Sequence, residues 1–125
     1  MDRVRSHDQG FVAAGPSRVY GMLANLESYP SWWPGSGKRG DALSLPLLRR
    51  AAPARTERER NGVGVHLVFG DGSLEWYLEP FDDGTIVNAF LDLTASAGKS
   101  RRLLRMRARV RDGLVGLKRR LEAPG

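Results

Sequence analysis

Residues 100–122 read SRRLLRMRARVRDGLVGLKRRLE, and this stretch decides the fold. Its apolar side chains recur at steps of three and four residues, which is the repeat of one face of an α-helix; they are Leu103, Met106, Val110, Leu114, Leu117 and Leu121. A helix over this stretch is about 34 Å long at ~1.5 Å per residue. Its apolar stripe needs a partner surface of comparable length, which the rest of the chain must supply.

The composition is that of one soluble domain over residues 1–125, with 41% hydrophobic and 27% charged residues. Because the chain has no cysteine, disulfides, thiolate catalysis and cysteine-ligated zinc are excluded. With only two histidines, His7 and His66, we expect no metal site and no cofactor. No apolar run approaches the ~18 residues that span a bilayer, and residues 1–10 lack an apolar signal segment, so we expect a cytoplasmic protein.

The net charge of +6 is concentrated in the predicted helix. Residues 99–122 hold ten basic and two acidic side chains, which leaves ten basic and twelve acidic residues elsewhere. The favoured interpretation is a solvated helix face. The alternative is an interaction with an acidic partner, an anionic membrane or RNA, although the arginines are not interleaved with the aromatic residues that stack on bases.

The first half of the chain predicts short elements separated by glycine and proline. They are a strand over 7–14, a helix over 17–26, a second short helix or turn over 27–29 stopped by Pro30, a flexible connector over 36–41 and a strand over 42–49. Because Pro46 cannot donate to a ladder, residues 42–49 are expected to be an edge strand, a bulged strand or an extended segment. Residues 51–53 are expected to break it.

From residue 56 onward, three turn sequences separate four predicted strands: Asn61-Gly62, Gly70-Asp71-Gly72 and Asp82-Asp83-Gly84. Four strands joined by short turns predict an antiparallel meander. The last three alternate between a wholly apolar face and a mixed face, which is typical of a sheet with one wet side. The apolar face is the predicted partner of the helix stripe. Six strands are counted in all.

This order of elements resembles that of the START-like superfamily, also called SRPBCC, and in particular the bacterial polyketide cyclase/dehydrase-like proteins. Three stretches carry the resemblance: AGPSRVY (14–20) leading to LESYPSWWP (26–34), then LEW (74–76) with GTIV (84–87), and LVGLKRRLE (114–122). The resemblance implies an α+β, helix-grip fold, in which a curved antiparallel sheet wraps around the C-terminal helix. Seven strands are usual in that superfamily, one more than the pattern gives here.

The resemblance also implies a cavity between sheet and helix that takes a small hydrophobic ligand such as a lipid or an aromatic polyketide. The expected ligand-binding residues are Trp33, Leu45, Arg49, Leu67, Trp76, Leu78, Val87, Ala89, Leu91, Met106, Val110 and Leu114. The first alternative is a polyketide cyclase or dehydratase that acts by shaping a bound chain. The second is a module that docks on RNA, ribosome or anionic membrane. The oligomeric state stays open.

Few polar residues are candidates for chemistry. The alternation places His66, Glu75 and Glu79 on the mixed face, where a solvated role is favoured over acid–base catalysis. No serine–histidine–aspartate set, phosphate loop or metal-ligand spacing is present. Gly113 and Gly116 interrupt the helix, and they predict either close approach of a ligand or strand, or a slight bend.

Overall fold

The structure, a computed structural model, describes residues 3–39, 42–47, 52–56, 63–70, 72–94 and 99–123. It has seven strands and three α-helices within these ranges. In chain order they are β1 (Arg3–Val12), α1 (Pro16–Ala24), α2 (Tyr29–Trp32), β2 (Gly37–Arg39), β3 (Ala42–Leu45), β4 (Ala52–Thr56), β5 (Gly64–Phe69), β6 (Gly72–Phe81), β7 (Gly84–Thr94) and α3 (Lys99–Glu122), with a 3₁₀ turn over Leu26–Ser28 between α1 and α2.

All the strands belong to one antiparallel sheet in the order β1-β7-β6-β5-β4-β3-β2. The last three strands of the predicted meander are confirmed as β5 to β7, whereas the first, predicted from residue 56 to 60, lies almost wholly outside the described residues and β4 pairs with β5 in its place. β1 joins the sheet by pairing along its whole length with β7. β1 and β2 are therefore the two edges. The structure has the predicted α+β, helix-grip architecture, with the sheet against the long C-terminal helix.

In the region between α2 and β5 two expectations were wrong, and of the three alternatives given for residues 42–49 the edge strand is excluded. The connector over 36–41 contains β2, which is the seventh strand, and which alternation did not reveal because it is only three residues long. β3 lies between β2 and β4, so it is not an edge strand; it ends at Leu45, before Pro46 enters the ladder. The expected break at 51–53 is instead the start of β4, where Pro53 is opposite Ser44. Asn61-Gly62 lies outside the described residues.

The second short helix extends beyond the residue expected to stop it. α2 runs from Tyr29 to Trp32 and contains Pro30 in its first turn. Proline is tolerated there because the first N–H groups of a helix have no partner within the helix. The helix ends at Trp32, and Trp33 has an extended backbone conformation.

The predicted apolar faces form the core. The inward side chains of β5, β6 and β7 are buried, as are five of the six stripe residues of α3, while Leu103 is half-buried; the buried stripe residues are Met106, Val110, Leu114, Leu117 and Leu121. Val63, expected on the same face, is 45% exposed because it precedes β5. α3 lies mainly against β1, and α1 covers β5 and β6.

Gly113 and Gly116 let α3 approach α2. A β-carbon at Gly113 would lie 2.9 Å from the indole of Trp33, and one at Gly116 would overlap the backbone carbonyl of Trp32. The predicted close approach is therefore present, but its partner is α2 rather than a ligand or a strand. These two contacts fix where α2 and Trp33 sit on α3.

Candidate ligand-binding groove

The described inner face of the sheet is filled by side chains. Leu45, Leu67, Trp76, Val87 and Met106 have no accessible surface at all. Because a residue that lines a water-sized space would retain accessible surface, no such space lies against these five side chains.

Four aromatic rings form the centre of this core. Trp76 packs edge to face on Trp33, with ring centroids 6.0 Å apart, and Trp32 lies 5.9 Å from Trp33. The indole Nε1–H of Trp76 donates to the hydroxyl of Tyr29 at 3.1 Å, and this hydroxyl donates to the carbonyl of Leu23 at 2.8 Å. Burial raises the pKa of Tyr29, against a smaller lowering by the hydrogen bond from Trp76. Tyr29 is therefore a neutral donor within the core.

The structure brings most of the expected ligand-binding residues together in this core. Trp33, Leu45, Leu67, Trp76, Leu78, Val87, Ala89, Leu91, Met106, Val110 and Leu114 are all buried. Arg49 lies outside the described residues. Among the buried set, Trp33, Leu91 and Leu114 also border surface clefts. Their role as ligand contacts stays a prediction.

One open cleft lies where α2, the end of β3 and α3 meet, and we call it the Trp33 groove. Its volume is about 440 Å³, and it is lined by Trp33, Pro34, Pro46, Arg109, Asp112, Val115, Gly116 and Arg119. Arg109 Nη1 lies 3.8 Å from Asp112 Oδ2, in an ion pair whose two side chains are more than half exposed. The groove therefore combines ring and aliphatic carbon with two guanidinium groups. From the sequence, Trp33 was expected to contact a ligand and Gly116 to allow a close approach, but the remaining lining residues, which meet only through the approach of α2 to α3, were missed.

A buried carboxylate on β1 pairs with α3. Arg111 Nε donates to Asp8 Oδ1 at 3.0 Å, and Arg107 Nη2 donates to the same oxygen at 3.3 Å. Burial, the largest influence, raises the pKa of Asp8, but the hydrogen bonds and charges of Arg107 and Arg111 outweigh it and hold that pKa below its ordinary value. Two arginines expected to be solvent cover thus tie the helix to the edge strand. The sequence signal for this pairing is the position of Asp8. Because side chains alternate along a strand, Asp8 lies on the same inner face as Val12.

The outer face of the sheet carries the mixed residues, as predicted, but one of them is buried. Asn88 is 1% exposed; its Oδ1 faces His7 Nε2 and Gln9 Nε2, each at 2.7 Å, and its Nδ2 donates to Glu79 Oε1 at 2.7 Å. Since Oδ1 only accepts, His7 Nε2 carries the proton in this pair. This side chain bridges β1, β6 and β7.

His66 and Glu75 line a shallow cleft of about 290 Å³ on this outer face, beside Arg5, Ser73, Phe90 and Asp92. Asp92 is paired with Arg3 at 3.0 Å and with Arg5 at 3.2 Å. The expectation that these polar residues face outward is therefore met. A third cleft, of about 330 Å³, lies between β1 and α3 and includes Phe11, Leu114 and Lys118.

Within the described ranges, no three histidine, aspartate or glutamate side chains are grouped so that they could hold a metal ion. None of the described helices is long and apolar enough to cross a membrane.

The fold is shared with solved structures of low sequence identity. The chain is similar to the Aha1 protein of Colwellia psychrerythraea, solved as a dimer in solution, with 14% identity over 96% of this chain and 97% of that one and a TM-score of 0.72. It is also similar to a START superfamily protein of Mycobacterium smegmatis, with 14% identity, 94% and 97% coverage and a TM-score of 0.71. A protein of Thermus thermophilus matches with 21% identity, 98% coverage of both chains and a TM-score of 0.69.

These likenesses show that the chain has the START-like, helix-grip fold. No family model matches the sequence, and no curated protein matches it either.

Proposed function

We propose that this protein binds a small hydrophobic molecule that carries an anionic group, and that the ligand lies in the Trp33 groove. The observation that carries the proposal is the pairing of apolar groove walls with the guanidinium groups of Arg109 and Arg119. A START-like fold is consistent with a binding role, and the ligand is argued from the groove itself.

The size of the groove suits a small ligand. Pockets for small molecules have volumes of roughly 300–1,000 Å³, with mostly apolar walls and a few polar groups that fix orientation. The groove has about 440 Å³, with Pro34, Pro46 and Val115 as apolar surface. A flat ring or short chain would lie against these residues.

The charge of the groove selects an acidic ligand. The groove has two positive charges, on Arg109 and Arg119, and one negative charge, on Asp112. A guanidinium binds carboxylate, sulfonate or phosphate oxygens with paired hydrogen bonds, so a ligand anion would compete with Asp112 for Arg109 and meet Arg119 directly. An aromatic acid or a polyketide carboxylate fits this description.

Binding is favoured over catalysis because the polar side chains of Asp8, Thr85 and Tyr29 in the described core already have protein partners. Asp8 is paired with two arginines, and Thr85 donates to the carbonyl of Ala14 at 2.8 Å. The hydroxyl of Tyr29 accepts a hydrogen bond from Trp76 and donates one to the carbonyl of Leu23. None of these three side chains is free to act on a substrate. No observation therefore favours the cyclase or dehydratase alternative.

A matched pair of fluorescent probes tests the proposal. 8-Anilino-1-naphthalenesulfonate and N-phenyl-1-naphthylamine share one ring system, but only the first has a sulfonate. The native protein should bind the sulfonate at least about tenfold more tightly, as a charge-assisted contact of ~1.5–3 kcal/mol requires. Equal affinity for the two probes would contradict the anionic part of the proposal.

Variants then locate the site. Arg109→Gln with Arg119→Gln should weaken sulfonate binding about tenfold or more while leaving the neutral probe unchanged. Arg120→Gln is the matched control, because Arg120 is exposed on the same turn but does not line the groove. Val115→Trp should weaken both probes by filling the groove. Unchanged binding in all three variants would place the ligand elsewhere.

A further inference from the structure

α3 has a second apolar line, on its solvent side. Leu104 is 63% exposed and Val115 is 47% exposed, although both are aliphatic. Eleven residues separate them, which is close to three turns, so the two side chains project in nearly the same direction about 16 Å apart. Ala108 is exposed between them. The buried stripe on the other side of the helix does not account for this line.

Arginines border the exposed line. Arg101 and Arg105 are exposed within one turn of Leu104, and neither makes an ion pair within the described ranges. Arg111 is 60% exposed and lies one turn before Val115. We call the surface formed by Arg101, Leu104, Arg105, Ala108 and Val115 the outer face of α3. Its one described acidic neighbour, Asp112, is offset by Arg109.

We infer that the outer face of α3 docks the protein on an anionic lipid surface. Aliphatic side chains enter the boundary between headgroups and acyl chains, and arginines on either side bind lipid phosphates. Since the chain outside 99–122 has more acidic than basic residues, the field of the molecule turns α3 toward a negative surface.

The observations favour a lipid surface over RNA. Single-stranded RNA is held by aromatic stacking, and the apolar residues of the outer face of α3 are all aliphatic. Leu104 and Val115 therefore have a role on a bilayer that they lack on RNA.

Vesicle co-sedimentation tests this docking with the native chain. Binding is expected to phosphatidylcholine vesicles that contain phosphatidylserine, to be absent from pure phosphatidylcholine, and to weaken from low to high salt. Arg101→Gln with Arg105→Gln should lower the partition coefficient about 30-fold, at ~1 kcal/mol per basic residue. Arg3→Gln with Arg5→Gln removes the same charge from the far side of the sheet and should leave binding almost unchanged.

The Leu104→Ser variant distinguishes binding to a membrane from binding to RNA. It should lower vesicle partition about tenfold, because an aliphatic anchor is lost, and it should leave any binding to polyuridylate unchanged. Circular dichroism checks that each variant is folded. The inference is overturned by absence of binding to anionic vesicles at low salt, by equal loss in the two double-arginine variants, or by full binding of Leu104→Ser. Val115 belongs to both the outer face of α3 and the Trp33 groove, but the variants that test docking change Leu104, Arg101 and Arg105, which do not line the groove, so the two proposals can fail separately.

Discussion

Gly116 of α3 lies directly against the backbone carbonyl of Trp32, so that a side chain at position 116 would overlap the last residue of α2. One turn earlier, Gly113 leaves room for the indole of Trp33. These glycines determine how closely α2 approaches α3. The Trp33 groove is what remains between Pro34, Pro46 and α3 after that approach.

Gly116→Ala should destabilise the protein by about 1–3 kcal/mol, because the backbone of α2 must move away from the new methyl group. Chemical denaturation measures this as a lower midpoint. Gly21→Ala is the matched control, since Gly21 lies within α1 and a β-carbon added there would meet nothing within 4 Å. This second change should stabilise the protein by about 0.5–1 kcal/mol, the helix preference of alanine over glycine. Equal effects of the two changes would contradict the packing described.

Asp8→Asn should remove part of the acid sensitivity of the fold. In the native state Arg107 and Arg111 hold the pKa of Asp8 below its unfolded value of about 3.9. At pH values between the folded and the unfolded pKa of Asp8, the native state therefore binds fewer protons than the unfolded state. The resulting stability is present above the unfolded pKa and is lost as the pH falls from about 5 through the folded pKa.

Unfolding free energies at pH values from about 7 to 3 check this prediction. Asp8→Asn should be less stable by about 1–3 kcal/mol at pH 7 and should lose less on acidification than the unmodified chain. Asp112→Asn is the control, because Asp112 is 65% exposed and its ion pair is long. Parallel pH profiles for the Asp8→Asn variant and the unmodified chain would show that Asp8 is not held as described.

Tyr29→Phe should cost about 1–3 kcal/mol of stability. The change removes the hydroxyl that links Trp76 to Leu23, and it leaves a buried indole N–H and a buried carbonyl without this partner. Thermal unfolding measures the loss. Tyr77→Phe removes a hydroxyl from a side chain that is 44% exposed, so it should change stability by less than about 0.5 kcal/mol. A similar small effect at both positions would argue against the core network.

Asn88→Asp should destabilise the sheet by about 2–3 kcal/mol at neutral pH. A carboxylate would turn an oxygen toward Glu79 and the carbonyl of Tyr77, where the amide of Asn88 now donates. Asn25→Asp is the matched control, because Asn25 only accepts, from the backbone N–H of Glu27, and a carboxylate accepts equally well. A tolerated Asn88→Asp would mean that the amide is not needed as a donor.

The sequence allowed the prediction of the elements with strong periodicity. The stripe of α3 and the alternation of β5, β6 and β7 placed both halves of the core correctly, because every second or every third to fourth residue is apolar. β2 escaped because Gly37–Arg39 is too short for a period. Pro46 was expected to lie within a strand, but it lies just outside β3. Pro53 was expected to break a strand, but it is accommodated inside β4.

The candidate site was less predictable because it depends on contacts between elements distant in sequence. Trp33 was singled out, but Pro46 and Arg119 join it only after α2 has packed on Gly113 and Gly116. The pairing of Asp8 with Arg107 and Arg111 also needs the helix to lie along β1, which no local pattern states.

The central claim is that a ligand lies in the Trp33 groove, and shift mapping by two-dimensional ¹H–¹⁵N NMR during titration with 8-anilino-1-naphthalenesulfonate tests it most directly. The largest shifts are expected at the indole N–H of Trp33 and at the amides of Val115 and Gly116, which line the groove. The indole N–H of Trp76, held by Tyr29 in the core, should stay in place. If the largest shifts were instead at Trp76, Leu67 and Leu78, the ligand would lie between the sheet and α3 and not in the Trp33 groove.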